Sequence, residues 1–511
     1  MLKLRLALNL AWNISLQSRM GSERKLTNQL EKLTLEDAGS LKATVCAETT
    51  PAGTTNKKSK AAGRPSAEEI ERIRAERKAK KEAAGKQGDE GVEFIRRPLL
   101  VCDGDEAKGF VFRVMTYNCL AQALIRRKLF PTSGNALKWF KRSKVLLSEL
   151  RYYNPDVICL QEIDHTQYKS FWMDELQRAG YSSKFHRMFG KNHGIAIVWR
   201  HSLFNKVDET LIDFDEEPSG EIERRTTTKN VGLVVALEYA DEVKRRYPGS
   251  NQTGLVIGTS HLFWHPFGTY ERARQCYIIL NRMKDFMKRL RLLKRGSAGA
   301  ASHWHPFFCG DFNSQPFDAP YLSMCKKPIV YEGRARTVME CSTSYKFSSL
   351  RDGGAADDEE GGNIEKFGEG QPETPVPDSF DATPEQKALV DAMQFLHNSL
   401  DMRAISLYSL AYKYVHSENA GIDNDRGEPE ISNWAHAWRG LLDYIMYVTP
   451  WDFSDNTEVD ELGKFQKNAG IKVRGLLRMP PAIEMPSHGQ PHEGEYPSDH
   501  LAMMCELELL M

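Results

Sequence analysis

Polar side chains follow three apolar segments of the chain, at the point where each segment ends. "FFCGDFN" ends in Asp311 and Asn313, "VICLQE" ends in Glu162, and "LVIGTSH" ends in His261. A charged or amide group beside a buried segment costs free energy unless a partner uses it. Each residue alone could serve a turn, because Asp and Asn are turn formers. Their recurrence at segment ends favours a shared site.

Three further segments carry groups of the same kind. Asn118 ends "FVFRVMTYN", Asp443 lies in "LLDYIMYV", and "PSDH" places Asp499 and His500 before the last apolar segment. Carboxylate and amide oxygens suit Mg²⁺ or Mn²⁺ and are poor zinc ligands. The sequence contains neither H-E-x-x-H nor a P-loop. A magnesium site with a histidine and a carboxylate suits hydrolysis of a phosphate ester.

The apolar segments that carry these groups predict the strands of a β-rich domain. Apolar runs predict strands at 110–116, 157–162, 194–200, 231–239, 255–261, 307–313 and 441–448, with a short one after His500. Helical spacing predicts helices at 136–153, 269–294 and 384–417, the last begun by a cap at Thr383 and Pro384. Many strands with few helices predict an α+β fold in which two sheets pack face to face.

Composition divides the chain into an N-terminal extension at 1–108 and a folded domain at 109–511. The extension is predicted to be largely disordered, and it is basic at 56–86, where eleven Lys and Arg oppose five Glu. This run could contact RNA or a ribosome electrostatically, or serve only as a solubilising tail. A Gly-rich stretch at about 350–380, with eight acids against two bases between 351 and 373, predicts a disordered insertion.

Overall composition bears on location and association. The formal net charge is zero, so any basic surface must be local. Nine scattered cysteines without a C-x-x-C pair predict reduced thiols in an intracellular protein, either cytoplasmic or nuclear. The acid-poor first 22 residues leave a mitochondrial presequence open as the alternative. No apolar run approaches the ~20 residues of a membrane span. No spare apolar stripe is visible, which predicts a monomer.

Six motifs in order resemble a known superfamily, the endonuclease/exonuclease/phosphatase hydrolases. They are "TYNCL", "CLQEID", "GTSHLFWHP" followed by "RARQ", "CGDFNSQP", "GLLDYIMY" and "PSDHLAM", spread over about 400 residues from Val114 to the C-terminus. Within the superfamily the chain resembles the deadenylase-like 3′ exoribonuclease branch, and its extension and acidic insertion look most like the fungal Ngl RNA exonucleases. The resemblance implies a four-layer α/β/β/α sandwich of two packed mixed β-sheets flanked by helices.

The resemblance also implies roles for individual residues. It assigns metal binding, with Mg²⁺ as the ion and Mn²⁺ as the alternative, to Glu162, Asn118 and Asp443. It assigns catalysis to Asp311, which would activate water, to Asn313, His261 and His500, which would contact the phosphate, and to Asp499. Asn118 and Asp499 would lie near the metal or orient its neighbours, and Asp443 would support a second metal or orient a histidine. It assigns substrate binding to Pro266, Trp438, Trp434, Arg272 and Asn313.

Two departures from the family pattern concern substrate choice. His193 stands where the family often has Asp, and the segment "ISNWAHAW" replaces a common Thr-Asn-Tyr run. Neither change touches a catalytic group. An aromatic side chain in the base pocket can stack on any base. The sequence therefore leaves open whether adenine is preferred at the 3′ end.

The leading hypothesis is a Mg²⁺-dependent 3′→5′ exoribonuclease that releases 5′-mononucleotides. Its partners would be single-stranded RNA 3′ ends, in poly(A) tails or in precursors such as ribosomal RNA. One alternative on the same fold is a phosphatase of a nucleotide cofactor or a phosphoinositide. Another is an inactive RNA- or ribosome-binding protein, although such a scaffold has no reason to retain the carboxylate cluster. A DNA-repair endonuclease is less favoured, because the close motif matches lie elsewhere.

Overall fold

The computed structural model describes residues 92–510, except 128, 249, 295–302, 345, 348–363, 366–373, 436–437 and 487. Its strands are β1 Leu99–Val101, β2 Phe110–Asn118, β3 Val157–Asp164, β4 Tyr181–His186, β5 His193–Arg200, β6 Phe204–Asp213, β7 Val231–Tyr239, β8 Gln252–His261, β9 His303–Asp311, β10 Lys346–Phe347, β11 Ile364–Glu365, β12 Met402–Ser406, β13 Asn433–Ala435, β14 Trp438–Gly440, β15 Asp443–Pro450, β16 Ile471–Leu477 and β17 Met503–Leu509. The predicted strands thus correspond to strands of the structure.

Most strands belong to two mixed sheets. The first sheet has the order β1-β16-β17-β2-β3-β5-β4, and the second has the order β12-β15-β9-β8-β7-β6. Only β2 with β3 and β8 with β9 pair in parallel within these sheets. Because parallel neighbours end at the same edge of a sheet, these two pairs bring the predicted polar groups of each sheet together.

Helices cover the outer faces of the two sheets. They are α1 Trp139–Tyr153, α2 His165–Gln167, α3 Met173–Arg178, α4 Asp241–Arg246, α5 Thr269–Lys294, α6 Ala319–Cys325, α7 Gly333–Thr343, α8 Pro384–Asn398, α9 Leu407–Val415 and α10 Leu462–Ala469. The core between the sheets is aromatic in part, with the rings of Phe112 and Phe307 6.1 Å apart. On the outer faces, Leu146 of α1 packs on the first sheet and Met283 of α5 on the second. The predicted four-layer α/β/β/α arrangement is confirmed.

One helix prediction is wrong. The segment 384–417 contains α8, the strand β12 and α9 instead of one helix. Buried apolar residues at four-residue intervals, from Leu396 and Leu400 to Ala404 and Tyr408, continue the helical spacing through the break. The predicted cap of α8 is confirmed, because Thr383 and Gln386 form a reciprocal capping box.

The structure also revises two boundaries. The fold begins before residue 109, because β1 pairs with β16 and the buried Arg97 side chain donates to the Ala502 carbonyl at 2.7 Å. The predicted acidic insertion ends earlier than 380, since Phe380 packs against Phe267 and Cys341. Most of that insertion, and the basic run at 56–86, lie outside the described residues. Among the described helices, none has the length and apolar character needed to cross a membrane.

Candidate active site

Three of the predicted site residues lie side by side at one edge of the second sheet. His261 ends β8, Asp311 ends β9 and Asp443 begins β15. The strand register pairs His261 with Asp311 and Asp311 with Asp443. His261 Nε2 lies 3.6 Å from Asp311 Oδ2, and all three side chains are buried. Strand pairing alone therefore aligns an imidazole and two carboxylates.

The first sheet contributes an amide and a carboxylate to the same place. Asn118 Nδ2 donates to Glu162 Oε1 and to Asp311 Oδ2, both at 2.9 Å, so it joins the two sheets. Glu162 lies at a register irregularity of β3 and has φ +54°, a backbone conformation that is strained for a non-glycine residue. The Ala121 N–H donates to Glu162 Oε2 at 2.9 Å. Asn118 therefore links the two carboxylates, and its role beside a metal stays a prediction.

His500 reaches the site from the segment that precedes β17. Its Nδ1 lies 2.8 Å from Asp443 Oδ2, and its Nε2 lies 3.6 Å from Asp311 Oδ2. A carboxylate can only accept, so Nδ1 carries a proton. Ser432 Oγ also donates to Asp443 Oδ2, at 2.7 Å, and accepts the Asp443 N–H at 3.1 Å. Asp443 thus orients a histidine, the second of its two predicted roles.

Two pKa values of the site are raised, for different physical reasons. Burial alone would lower the pKa of His500, but the Asp443 and Asp311 carboxylates outweigh it and hold the pKa well above its usual range. Burial raises the pKa of Asp311, against the influence of the His500 and His261 rings. The geometry therefore supports a protonated His500 that faces Asp311 through Nε2.

The same groups fit a divalent cation. Glu162, His261 and Asp311 each place one ligand atom within 4.8 Å of the others, and so do Asp311, Asp443 and His500. Asp443 Oδ1 is buried and has no hydrogen-bond partner, which leaves an oxygen available as a ligand. The first group fits better, because Glu162 is half-buried and reachable, whereas Asp443 and His500 already bond to each other. The two carboxylates of this group suit a hard divalent ion, whereas an imidazole is a ligand that softer metals prefer.

A buried arginine and a serine hold the two loops on which Asn118 and His500 stand. Ser498 Oγ donates to the Asn118 carbonyl at 2.8 Å and accepts the His500 N–H at 3.2 Å. Arg142 of α1 donates from Nε to the Pro497 carbonyl at 2.6 Å and from Nη2 to the Leu120 carbonyl at 2.7 Å. These contacts fix the end of β2 against the segment before β17.

Asn313 and Arg272 stabilise the loop that follows β8. Asn313 has φ +47°; its N–H donates to Asp311 Oδ1 and its Nδ2 to the Leu262 carbonyl, both at 2.9 Å. Arg272 donates to the carbonyls of Phe263 at 3.0 Å and His265 at 2.6 Å, and from Nε to Ser314 Oγ at 3.1 Å. Because Arg272 is buried in these contacts, its predicted role in substrate binding is revised to positioning of the loop.

The remaining predicted residues differ in how exposed they are to solvent. Pro266 and Trp438 are half-buried, so both can still be reached from solvent. Trp434 is buried, and the Arg439 guanidinium lies 5.1 Å from the centre of its ring. Its predicted stacking on a base is therefore revised, because the ring is buried. Its backbone N–H donates to the Asp499 carbonyl at 2.7 Å. Asp499 belongs to neither of the two groups that could hold a metal ion.

Sequence reasoning missed the supporting residues. Ser498 lies inside the quoted "PSDH" motif, so the motif itself was a signal. Ser432 lies in "ISNWAHAW", which had been considered only for its aromatic residues. Arg142 had no signal at all, because a buried arginine on a helix looks like any surface arginine in a sequence.

Two mixed sheets that bring carboxylates and histidines together at one edge define a phosphate-ester hydrolase that could hold a divalent metal. The model of the Endonuclease/Exonuclease/phosphatase family matches residues 115–500. The chain therefore belongs to the endonuclease/exonuclease/phosphatase family, and it is a hydrolytic nuclease of that family.

Individual relatives agree with this assignment. The chain is 60% identical over 471 residues to "RNA exonuclease NGL2" of Saccharomyces cerevisiae, a match that covers 89% of this chain and 91% of that protein. It is 25% identical over 235 residues to "CCR4-Not complex 3'-5'-exoribonuclease subunit Ccr4" of Yarrowia lipolytica, covering 40% and 32%. The crystal structure of ANGEL2, a 2′,3′-cyclic phosphatase, shares the fold with TM-score 0.51, 21% identity and coverage of 83% and 100%. The resemblance to the fungal Ngl nucleases is confirmed.

Proposed function

We propose that this protein is a Mg²⁺-dependent 3′→5′ exoribonuclease that releases 5′-mononucleotides from single-stranded RNA. The observation that carries the proposal is the convergence of Glu162, Asp311, His261 and His500 at one edge of the sandwich. The name of the Saccharomyces relative, an RNA exonuclease 60% identical to this chain, supports RNA as the substrate. Poly(A) tails and precursors such as ribosomal RNA are the proposed substrates, and Mn²⁺ is the alternative ion.

The proposed reaction assigns one task to each side chain. Asp311 accepts the proton of the attacking water, while His261 and His500 donate to the non-bridging phosphoryl oxygens. As water attacks phosphorus, the bond to the upstream 3′ oxygen breaks; that oxygen leaves with the electron pair and takes a proton from solvent. Glu162, the predicted metal ligand, would hold the cation, which when bound would neutralise charge on the phosphoryl group.

The terminal nucleotide is proposed to lie between Pro266 and Trp438. Three contacts support this placement. A Cβ on Gly440, the last residue of the β14 strand that carries Trp438, would lie 3.1 Å from Gln315 Nε2. Ser314, next to Gln315, accepts from Arg272, which in turn holds the loop around Pro266. The segment that carries Trp438 and the loop that carries Pro266 are thus connected through Ser314 and Gln315, which directly follow Asn313.

A time course with several substrates tests the function. The substrates are oligo(A), oligo(U), a mixed-sequence tail and a nicotinamide dinucleotide phosphate, each with and without Mg²⁺. We expect Mg²⁺-dependent stepwise shortening of RNA, with a loss of at least about 100-fold in Glu162→Gln, because that variant loses a carboxylate ligand. The exposed Glu242→Gln on α4 is the matched control.

The alternatives give different results in the same assay. Phosphate release from the dinucleotide while RNA stays intact would replace the exonuclease by a phosphatase. Bound but uncut RNA would support an inactive binding protein. The order of rates among the tails would decide whether adenine is preferred.

A further inference from the structure

A polar cavity lies directly beside the proposed metal ligands. It has a volume of about 340 Å³, and the residues that line it include Gln122, Asp164, Thr166, Gln167, Arg187 and Asn192. Asp164 is two residues beyond Glu162 on β3, and Ala121, next to Gln122, donates its N–H to Glu162 Oε2. The cavity therefore shares its wall with the site at which the phosphate is cut.

The lining of this cavity suits a nucleoside better than a phosphate. Asp164 accepts the N–H groups of Gln122 at 2.6 Å and Ala123 at 3.0 Å, so its carboxylate stabilises the cavity wall. Amides and a hydroxyl supply further donors and acceptors, as a base edge or a ribose requires. The lining has one carboxylate, Asp164, and one guanidinium, Arg187, so it carries no excess positive charge that would favour a bound anion.

A basic segment of the chain includes the lining residues Gln122 and Ala123 and continues beyond them. Between Cys119 and Ser148 the sequence has seven Lys and Arg and no acid, in a chain whose net charge is zero. Arg126 and Arg127 of this segment are exposed. They lie between Ile125 and Leu129, which pack on a small apolar cluster that includes Leu120. Ile125 and Leu129 therefore anchor the short segment that carries the two arginines, which follow the lining residue Ala123 by three and four positions. Exposed guanidinium groups on such a segment can contact RNA phosphates.

An exposed aromatic ring lies in the turn on the other side. Phe189 is 93% exposed, the largest exposed fraction among the large apolar residues of the described chain. It belongs to the turn between β4 and β5, whose ends Arg187 and Asn192 line the cavity. Arg187 donates to the Lys191 carbonyl and so closes this turn. An exposed ring next to a nucleotide-sized cavity is suited to stacking on a base.

We propose that this cavity, with Arg126 and Arg127 on one rim and Phe189 on the other, binds the RNA nucleotides upstream of the scissile phosphate. The nucleoside next to that phosphate enters the cavity, its phosphates lie against the two arginines, and a further base stacks on Phe189. This inference rests on the proposed exonuclease function. It predicts that long RNA is held at a surface that a single nucleotide cannot reach.

Two substrates separate this surface from the catalytic centre. A ten-nucleotide oligo(A) extends over the upstream surface, whereas the p-nitrophenyl ester of adenosine 5′-monophosphate has no upstream nucleotide. In Phe189→Ala we expect KM for the decamer to rise about tenfold, with the ester unaffected. In Arg126→Gln/Arg127→Gln we expect the slope of log KM against log salt to decrease by about 1.4, at roughly 0.7 per lost phosphate contact.

Matched controls are available at the opposite end of the second sheet. Strand β7 begins beside Ser260, which is next to His261, and it ends beside Gly254. Helix α4 follows β7 and therefore lies at the end of the sheet that is far from the active site. Arg245→Gln/Arg246→Gln on α4 removes two consecutive exposed arginines there and should change neither KM nor the salt slope. Phe453→Ala, beyond the far end of β15, removes a 57% exposed ring and should be neutral as well.

Failure of the inference can be distinguished from failure of the proposed function. If the wild type is active but the rim variants keep its KM for the decamer and its salt slope, the inference is wrong and the proposed function stands. The same conclusion follows if the variants lose as much activity on the ester as on the decamer. A wild-type protein that hydrolyses neither substrate would overturn the exonuclease function. In that case fluorescence anisotropy of a labelled decamer still tests the surface: weaker binding by the rim variants would support it, and equal binding would overturn it.

Discussion

At the scale of single residues, the site depends on which atom of each side chain is engaged. Asp443 uses one oxygen for both His500 and Ser432 and keeps the other buried without a partner. The single amide of Asn118 holds Glu162 and Asp311 together. Each group is therefore held in one orientation before substrate arrives, which is the condition for electrostatic catalysis in a closed site.

Asp443→Asn tests the orientation of His500. An amide can donate as well as accept, so it permits the wrong tautomer of the imidazole. We expect kcat on oligo(A) to fall about 10²- to 10⁴-fold while KM changes less than about threefold. Single-turnover rates at saturating RNA measure the loss, and thermal unfolding shows whether the variant is folded.

Asp452→Asn is the matched control for this change. Asp452 follows the other end of the strand that begins at Asp443, and it is exposed. Its carboxylate accepts only from Ser454, a contact that an asparagine oxygen can also make. If both variants lost the same activity, or if Asp443→Asn raised KM alone, the orienting role of Asp443 would be wrong.

At the scale of elements, the loop between β8 and α5 is shaped from within by Arg272. The guanidinium holds two loop carbonyls and the Thr269 hydroxyl, at 3.0 Å for the hydroxyl. Burial lowers the pKa of Arg272 to about 10, partly offset by Asp318, so the side chain stays charged at neutral pH. Pro266 therefore stands on a loop whose conformation depends on one buried side chain.

Arg272→Lys tests this dependence. A lysine ammonium cannot reproduce the planar fork that reaches four acceptors, so the loop loses part of its support. We expect KM for the 3′ terminal nucleotide to rise about tenfold and the free energy of unfolding to fall by about 1–3 kcal/mol. Steady-state kinetics and urea unfolding measure the two effects.

Arg282→Lys on the same helix is the control for this substitution. The Arg282 side chain is 39% exposed and forms an ion pair with Glu217 at 2.8 Å. Such surface ion pairs contribute little to the free energy of unfolding. Unchanged KM in Arg272→Lys would show that the loop holds its shape without the guanidinium.

At the scale of the whole molecule, the fold carries a buried carboxyl group that the reaction does not use. Glu428 is fully buried and accepts the Tyr321 hydroxyl at 2.8 Å. Burial raises its pKa from 4.5 to about 7. A carboxyl group whose pKa is raised by folding stabilises the fold fully below pH 4.5, and that contribution is lost as the pH rises through about 7.

Glu428→Gln should remove this pH dependence, because the amide stays neutral and can still accept the hydroxyl. Near pH 5 we expect the variant and the wild type to differ little. At pH 8 the variant should be more stable by about 2–3 kcal/mol. Urea unfolding at the two pH values measures the gap, with the exposed Glu242→Gln as control. A gap of equal size at both values would contradict the buried, protonated state of Glu428.

Local patterns in the sequence account for much of the secondary structure that could be predicted. Alternating and continuous apolar runs identified the strands that carry Glu162, His261 and Asp311 at or near their ends, because a buried strand imposes its period on its own residues. The cap at Thr383 was likewise readable, since both partners lie within four residues. The strand β12 could not be predicted, because its buried residues also fit a helical spacing.

By itself, the sequence determined which polar residues stand at or near the ends of strands, and their types favoured hydrolysis of a phosphate ester with a hard cation. Only the tertiary structure decided which of these residues contact one another. His500 and Asp443 are 57 positions apart, Asn118 and Asp311 are 193 apart, and both contacts depend on strand order in the two sheets. Such pairings are set by how the sheets are ordered and packed, which no local period encodes.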